Sequence, residues 1–291
     1  MNLFVFGLGF SGLTFAKRRR ARGDNVSGTV RSRAKAQALS VAGITARVFG
    51  PDQSDSTIGA DLAASDALLI SVPPGTGGDP VLKSYAGQIA AAPHLRWIGY
   101  LSTIGVYGDH GGAWVDETTP ATPANARSRE RADAERKWLA FGEANSMPVQ
   151  IFRLAGIYGP GQSQLVQLAR GTARRIIKPG QVFNRIHVED IARVLDASLE
   201  RPRAGAIYNV TDNEPAPPQD VVTYAAGLCG VAPPPDISLD EAGLTEMGRS
   251  FYAESKRVRN TLLRDELGVT LVYPTYREGL SALHAAGDGP R

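Results

Sequence analysis

Residues 2–12 read Asn2-Leu3-Phe4-Val5-Phe6-Gly7-Leu8-Gly9-Phe10-Ser11-Gly12, and no other stretch constrains the fold as strongly. An apolar run enters Gly7-x-Gly9-x-x-Gly12, and a segment with helical potential follows through Leu13 and Phe15. A strand, a glycine turn and a helix in that order make a dinucleotide phosphate site. The glycines permit a tight turn and close backbone approach, and the helix N-terminus offers unpaired N–H groups and a positive dipole end. Alone, the motif is weak evidence, because a glycine-rich turn without a ligand can show the same spacing. The residues expected to bind are Gly7, Gly9, Phe10, Ser11 and Gly12.

The next segments extend the pattern. Asn25–Val30 reads as a second strand, and Arg31-Ser32-Arg33 follows it with Lys35 close by. At this point in a Rossmann unit an acidic residue binds the ribose hydroxyls of NAD, whereas an arginine accommodates the 2′-phosphate of NADP. No Asp or Glu lies between Val26 and Lys35. The expected cofactor is therefore NADP, with NAD as the alternative; Arg31 is its main phosphate partner and Ser32 and Arg33 assist. Residues 43–49 hold a third strand. Ala67–Val72 is an apolar run of the kind buried on both sheet faces. It stops at Pro73-Pro74, which places Ser71, Val72 and Pro73 beside the cofactor at the carboxyl ends of the strands. Residues 82–91 read as a helix and 97–101 as a fifth strand, giving an α/β, doubly wound parallel sheet.

Ser102-Thr103-Ile104-Gly105-Val106-Tyr107-Gly108 follows the fifth strand. Hydroxyl residues ahead of Val-Tyr-Gly resemble the extended short-chain dehydrogenase/reductase family, which includes sugar-nucleotide epimerases and dehydratases. Three further segments carry the same resemblance in the same order: Phe152-Arg153-Leu154-Ala155-Gly156-Ile157-Tyr158-Gly159-Pro160-Gly161, Ile186-His187-Val188-Glu189-Asp190, and Tyr208-Asn209-Val210. The resemblance implies a Rossmann domain over residues 1–155 plus about 187–205. It implies a smaller substrate lobe from 156–186 and 206–291. It adds Ser102, Ala155 and Gly156 to the expected cofactor contacts.

The chain departs from the family at the catalytic pair. The family carries Tyr-x-x-x-Lys on the helix after the fifth strand, one turn apart on one face. The register here puts Arg127 at the tyrosine position and Arg131 at the lysine position, and no Tyr or Lys lies within 126–136. Arg131 could hold a ribose hydroxyl. Arg127 cannot serve as a general acid near neutral pH, because a guanidinium pKa exceeds about 12. Thr103 stands where the family has its catalytic Ser or Thr, and Tyr107 could supply a phenol from the crevice or simply hold position. The glycine spacing also differs from the G-x-x-G-x-x-G usual in extended members. Both departures resemble the atypical members of the superfamily. The expectation is an NAD(P)-binding oxidoreductase or epimerase-like enzyme acting on a small polar substrate. The alternative is a cofactor-binding sensor without turnover, and the third reading is a nucleotide-sugar epimerase or dehydratase. Phe183 occupies the position where sugar-nucleotide enzymes often carry an arginine, which counts against that third reading.

The remaining features bound the class. The 291 residues carry a net charge of +3, which suits an anionic small ligand and does not point to nucleic acid. The cluster Lys17 to Arg22 follows the first helical segment and complements its dipole. A single cysteine, Cys229, excludes an intramolecular disulfide. No run reaches membrane-spanning length, and the basic residues lie on the wrong side of the N-terminal apolar run for a secretory signal; the expected location is cytoplasmic, with no membrane partner. His94 and His110 lack metal-ligand spacing, so no metal is expected. Relatives dimerise through helices that include the 126–145 segment; a homodimer is implied, against the dense charge of that segment.

Overall fold

A computed structural model describes residues 1–51 and 53–290. The first elements are β1 (Asn2–Phe6), α1 (Phe10–Ala21), β2 (Asn25–Val30), α2 (Arg33–Val41), β3 (Thr45–Val48), α3 (Ile58–Ala63), β4 (Ala67–Ile70), α4 (Pro80–Ala90) and β5 (Ile98–Thr103). A 3-10 turn at Ile104–Tyr107, β6 (Trp114–Val115) and the long α5 (Ala126–Ala144) follow. Next come β7 (Val149–Leu154), β8 (Gly156–Tyr158), α6 (Gln164–Ala169), β9 (Arg175–Ile177), β10 (Arg185–His187), α7 (Val188–Glu200) and β11 (Ile207–Val210). The last are α8 (Pro218–Leu228), β12 (Asp236–Ser238), α9 (Glu246–Tyr252), β13 (Arg257–Val258), α10 (Thr261–Asp265) and α11 (Tyr276–Ala285).

Seven strands form one sheet in the order β11-β7-β5-β4-β1-β2-β3. β1 pairs in parallel with β2 on one side and β4 on the other, and β2–β3 and β4–β5 are parallel as well. The order reverses between β1 and β4, the switch point at which such sheets open a crevice for a ligand. The α/β doubly wound reading of the sequence is the fold observed.

The chain divides into two compact units. The first comprises Met1–Thr103, Ala126–Arg153 and Ile191–Tyr208. Its core follows the two-residue period of buried strands. Phe4 and Phe6, Leu68 and Ile70, Ile98 and Tyr100, and Val149 and Ile151 meet Ile58, Leu62, Val81, Ile89 and Trp138 from α3, α4 and α5. The intervening residues Leu3, Val5, Ala67 and Leu69 are buried too, as expected of strands covered on both faces. Asp79 starts α4 by accepting the N–H groups of Val81 and Leu82, both at 2.9 Å, with Pro80 at the first helical position. The basic end of α1 is matched to carboxylates: Arg18, Arg19 and Arg22 all reach Asp196 within 3.1 Å, and Arg22 also reaches Glu200 at 3.1 Å.

The second unit comprises Ile104–Asn125, Leu154–Asp190 and Asn209–Arg291, so residues 104–125 belong here rather than with the first 155. Its strands are short parallel pairs, β8 with β10, β9 with β12 and β6 with β13. The core sets Tyr158, Leu165 and Val221 against Tyr276, Leu280 and Leu283 of α11. Thr275 opens α11 with a capping box to Glu278. Among the described residues no helix is long and apolar enough to cross a membrane.

Candidate dinucleotide site

The glycine turn is held from below by β2. Gly7 donates its N–H to the Thr29 hydroxyl at 2.9 Å, and Leu8 donates to the Thr29 carbonyl at 2.8 Å. Gly7 has φ +95, a conformation that disfavours any side chain. A Cβ on Gly12 would come within 2.4 Å of the Gly7 carbonyl oxygen, so the helix could not pack this closely on the turn with any other residue. Gly9 is different: it is exposed, and a Cβ there would meet nothing within 4 Å. Gly9 is also the N-cap of α1, with no side-chain hydrogen bond at the cap and no acidic residue in the first turn. The leading N–H groups of the helix are thus left to an anionic ligand. Backbone, steric space and dipole all fit a pyrophosphate at this turn.

The other expected residues of the first unit surround the same end of the sheet. Arg31, Ser32 and Arg33 are exposed directly after β2. The Ser32 hydroxyl accepts the Lys35 N–H at 3.3 Å as the N-cap of α2, so it braces the segment that carries Arg31. Ser71 donates its N–H to the Phe6 carbonyl at 2.8 Å, which joins the end of β4 to β1 beside the glycine turn; Val72 is half-buried and Pro73 exposed.

Ser102 and Thr103 are the last residues of β5. Thr103 is half-buried, and Ser102 is buried with its hydroxyl donating to Glu135 Oε1 at 2.5 Å. Glu135 in turn takes a forked contact from Arg153, with Nη2 to Oε2 at 2.8 Å and Nε at 3.2 Å from both oxygens. Arg131 reaches back from α5 to β5, donating to the Leu101 carbonyl at 2.6 Å with its guanidinium carbon 5.9 Å from the centre of the Tyr100 ring. Burial is the main influence on the neighbouring Asp79 carboxyl and raises its pKa; its hydrogen bonds and the Arg131 charge oppose that rise. Arg127, one turn earlier, is exposed.

Tyr107, Ala155 and Gly156 belong to the second unit. Tyr107 is fully buried, and its hydroxyl donates to Asn209 Oδ1 at 2.8 Å. Asn209 is itself held by Glu117, which accepts its N–H at 2.8 Å, and by the Arg259 carbonyl at 3.1 Å. Of the two roles open to Tyr107, proton donor or positioning residue, the buried hydrogen bond to an amide oxygen is the kind a positioning residue makes. Ala155 and Gly156 use their N–H groups in backbone pairing, to Val210 and Asn184 respectively, each at 3.1 Å. His187 ends β10 and its Nδ1 accepts the Glu189 N–H at 3.2 Å, fixing the entry to α7.

Sequence reasoning did not single out the buried pair of Glu135 and Arg153. The signal was present: an arginine stands inside the strand Ile151-Phe152-Arg153-Leu154, all of it buried, and a buried arginine requires a carboxylate partner.

The profile of the NAD dependent epimerase/dehydratase family matches residues 89–211. Protein YeeZ of Escherichia coli K12 is 31% identical over 282 residues, covering 93% of this chain and 95% of the relative. A structure of a functionally unknown conserved protein from Silicibacter pomeroyi superposes with a TM-score of 0.90 at 50% identity, covering 98% of this chain and 99% of that one. dTDP-glucose 4,6-dehydratase from Bacillus anthracis, in complex with NAD, shares the fold with a TM-score of 0.76 at 18% identity, covering 99% and 97% of the two chains. With the switch-point glycine turn and the ordered motifs after β5, these likenesses establish that the chain belongs to the NAD-dependent epimerase/dehydratase family, the extended branch of the short-chain dehydrogenases/reductases.

Proposed function

We infer that the chain binds NADP(H) and acts as an oxidoreductase or epimerase-like enzyme on a small polar substrate. The observation that carries the cofactor reading is the pair Arg31 and Arg33 exposed at the end of β2, with no carboxylate between Val26 and Lys35. Gly7 to Gly12 would receive the pyrophosphate, Ser71 to Pro73 would flank it, and Arg131 would hold a ribose hydroxyl. The nicotinamide supplies hydride transfer when bound.

Thr103 would donate a hydrogen bond to the reacting oxygen and hold it in line. Arg127 stands where the family has its phenol, and the Tyr107 proton is engaged by Asn209. Proton exchange then falls to water or to the substrate's own groups. The arginines at positions 127 and 131 favour a second reading, a sensor that binds NADP(H) without turnover. Relatives named as nucleotide-sugar epimerases and dehydratases supply a third, against which Phe183 still counts.

Calorimetric titration tests the cofactor: NADPH should bind at least tenfold more tightly than NADH, and equal or tighter NADH binding overturns the Arg31 argument. NADPH oxidation across a panel of small carbonyl compounds separates enzyme from sensor. Turnover that survives Thr103→Val unchanged removes Thr103 from the mechanism, and absence of turnover together with NADPH-dependent partner binding supports the sensor.

A further inference from the structure

Three polar groups from three elements meet inside the first unit: Ser102 at the end of β5, Glu135 on α5 and Arg153 on β7. They are 5%, 3% and 5% exposed. Burying an ion pair is weak evidence for stability, since well-packed apolar residues of similar volume often serve as well or better. What the pair does accomplish is geometric. The Arg153 fork holds both oxygens of Glu135, so the carboxylate cannot turn, and Oε1 takes the proton of Ser102. A serine hydroxyl has one proton and two lone pairs. With its proton committed to a fixed carboxylate, Ser102 can offer a ligand only acceptor capacity, in a set direction.

The place of this hydroxyl in the sheet bears on which ligand group it would meet. Arg31 follows β2, the glycine turn follows β1, and Ser71 follows β4, with β5 next in order. A dinucleotide whose 2′-phosphate lies at Arg31 and whose pyrophosphate lies at the glycine turn extends its other half towards β4 and β5. We propose that the Arg153–Glu135 pair is a positioning device that makes Ser102 a fixed hydrogen-bond acceptor for an N–H or O–H donor of the nicotinamide riboside. The inference rests on the dinucleotide reading above. Glu135 and Arg153 are positioning residues, because they act through Ser102.

Two probes separate this role from a structural one: NADPH, and 2′,5′-ADP, which carries the 2′-phosphate but lacks the nicotinamide riboside. Ser102→Ala and Glu135→Gln should each weaken NADPH about fivefold to tenfold, the worth of one hydrogen bond, while 2′,5′-ADP binding stays within about twofold. Ser102→Thr should retain NADPH affinity. The double variant S102A/E135Q should lose no more than either single variant. Where E135Q fails to fold, E135Q/R153M removes the charge left unpaired and replaces it in the series. Unchanged NADPH affinity in S102A overturns the proposal, as does an equal loss of both probes in the Glu135 variant or additive losses in the double variant. Wild-type protein that binds neither of these probes nor NADH overturns the dinucleotide reading itself, a result distinct from all of these.

Discussion

The three glycines of the turn do different work, and the difference can be measured. Gly12 is required by packing: its built Cβ falls 2.4 Å from the Gly7 carbonyl oxygen, so Gly12→Ala must push helix from strand. We expect it to lower stability by about 1–3 kcal/mol and to weaken NADPH as well. Gly9 faces open space, at a backbone conformation that alanine tolerates, φ −82. Gly9→Ala should cost less than about 1 kcal/mol of folding yet weaken NADPH tenfold or more, because the methyl group stands where the ligand approaches. Chemical denaturation beside NADPH titration checks both variants. Equal effects of the two substitutions on both measurements would mean that Gly9 is structural and that the turn is not a ligand cradle.

At the level of elements, the junction of β10 and α7 is built on a neutral histidine. His187 is 2% exposed, its ring lies 5.2 Å from that of Tyr158 and 4.0 Å from that of Tyr273, and its Nδ1 receives the Glu189 N–H. Burial pushes its pKa down to about 4. A depressed pKa in the folded state means that stability is fully present above the unfolded value near 6.5 and is lost as pH falls from there to about 4. The loss is at most about 3 kcal/mol across that window. His187→Gln, which cannot titrate, should unfold with a pH profile lacking this component, read as the difference between the two denaturation midpoints from pH 7 to pH 4. A constant difference over that range would show that His187 titrates alike in both states. Elements of this kind also mark the limit of what sequence discloses. The turn-helix junction at His187 and the β1–α1 turn are local, so their residues announce them. β6 pairs with β13 across more than 140 residues through two residues each, Trp114 with Arg257 and Val115 with Val258, and no periodicity survives in so short a strand. The Ser102–Glu135–Arg153 contact draws on three separate elements, and the hydroxyl of Tyr107 is held by Asn209, about a hundred residues away in the chain.

For the whole molecule the question is where its positive charge is left to act. The net charge is only +3, and the densest basic cluster is already matched: Arg18, Arg19 and Arg22 converge on Asp196. Arg31, Arg33 and Lys35 lie exposed at the opposite end of β2 from that cluster, which concentrates attraction for an anion beside the glycine turn. This contribution is solvent-exposed, so salt must screen it, with a Debye length of about 10 Å at 0.1 M falling to about 3 Å at 1 M. The glycine turn acts differently, through fixed backbone N–H groups close to the ligand. The preference for NADPH over NADH should therefore shrink several-fold between about 0.05 and 0.5 M salt, while NADH binding itself changes less. Thermal unfolding with each cofactor at fixed concentration gives a second view. A ligand at one hundred times its Kd adds about 2.7 kcal/mol to stability, so NADPH should raise the midpoint more than NADH, and the gap should close as salt rises. Replacing Arg31 with Glu should reverse the order of the two cofactors at low salt. A salt-independent preference would locate the discrimination in buried contacts and remove the exposed arginines as its source.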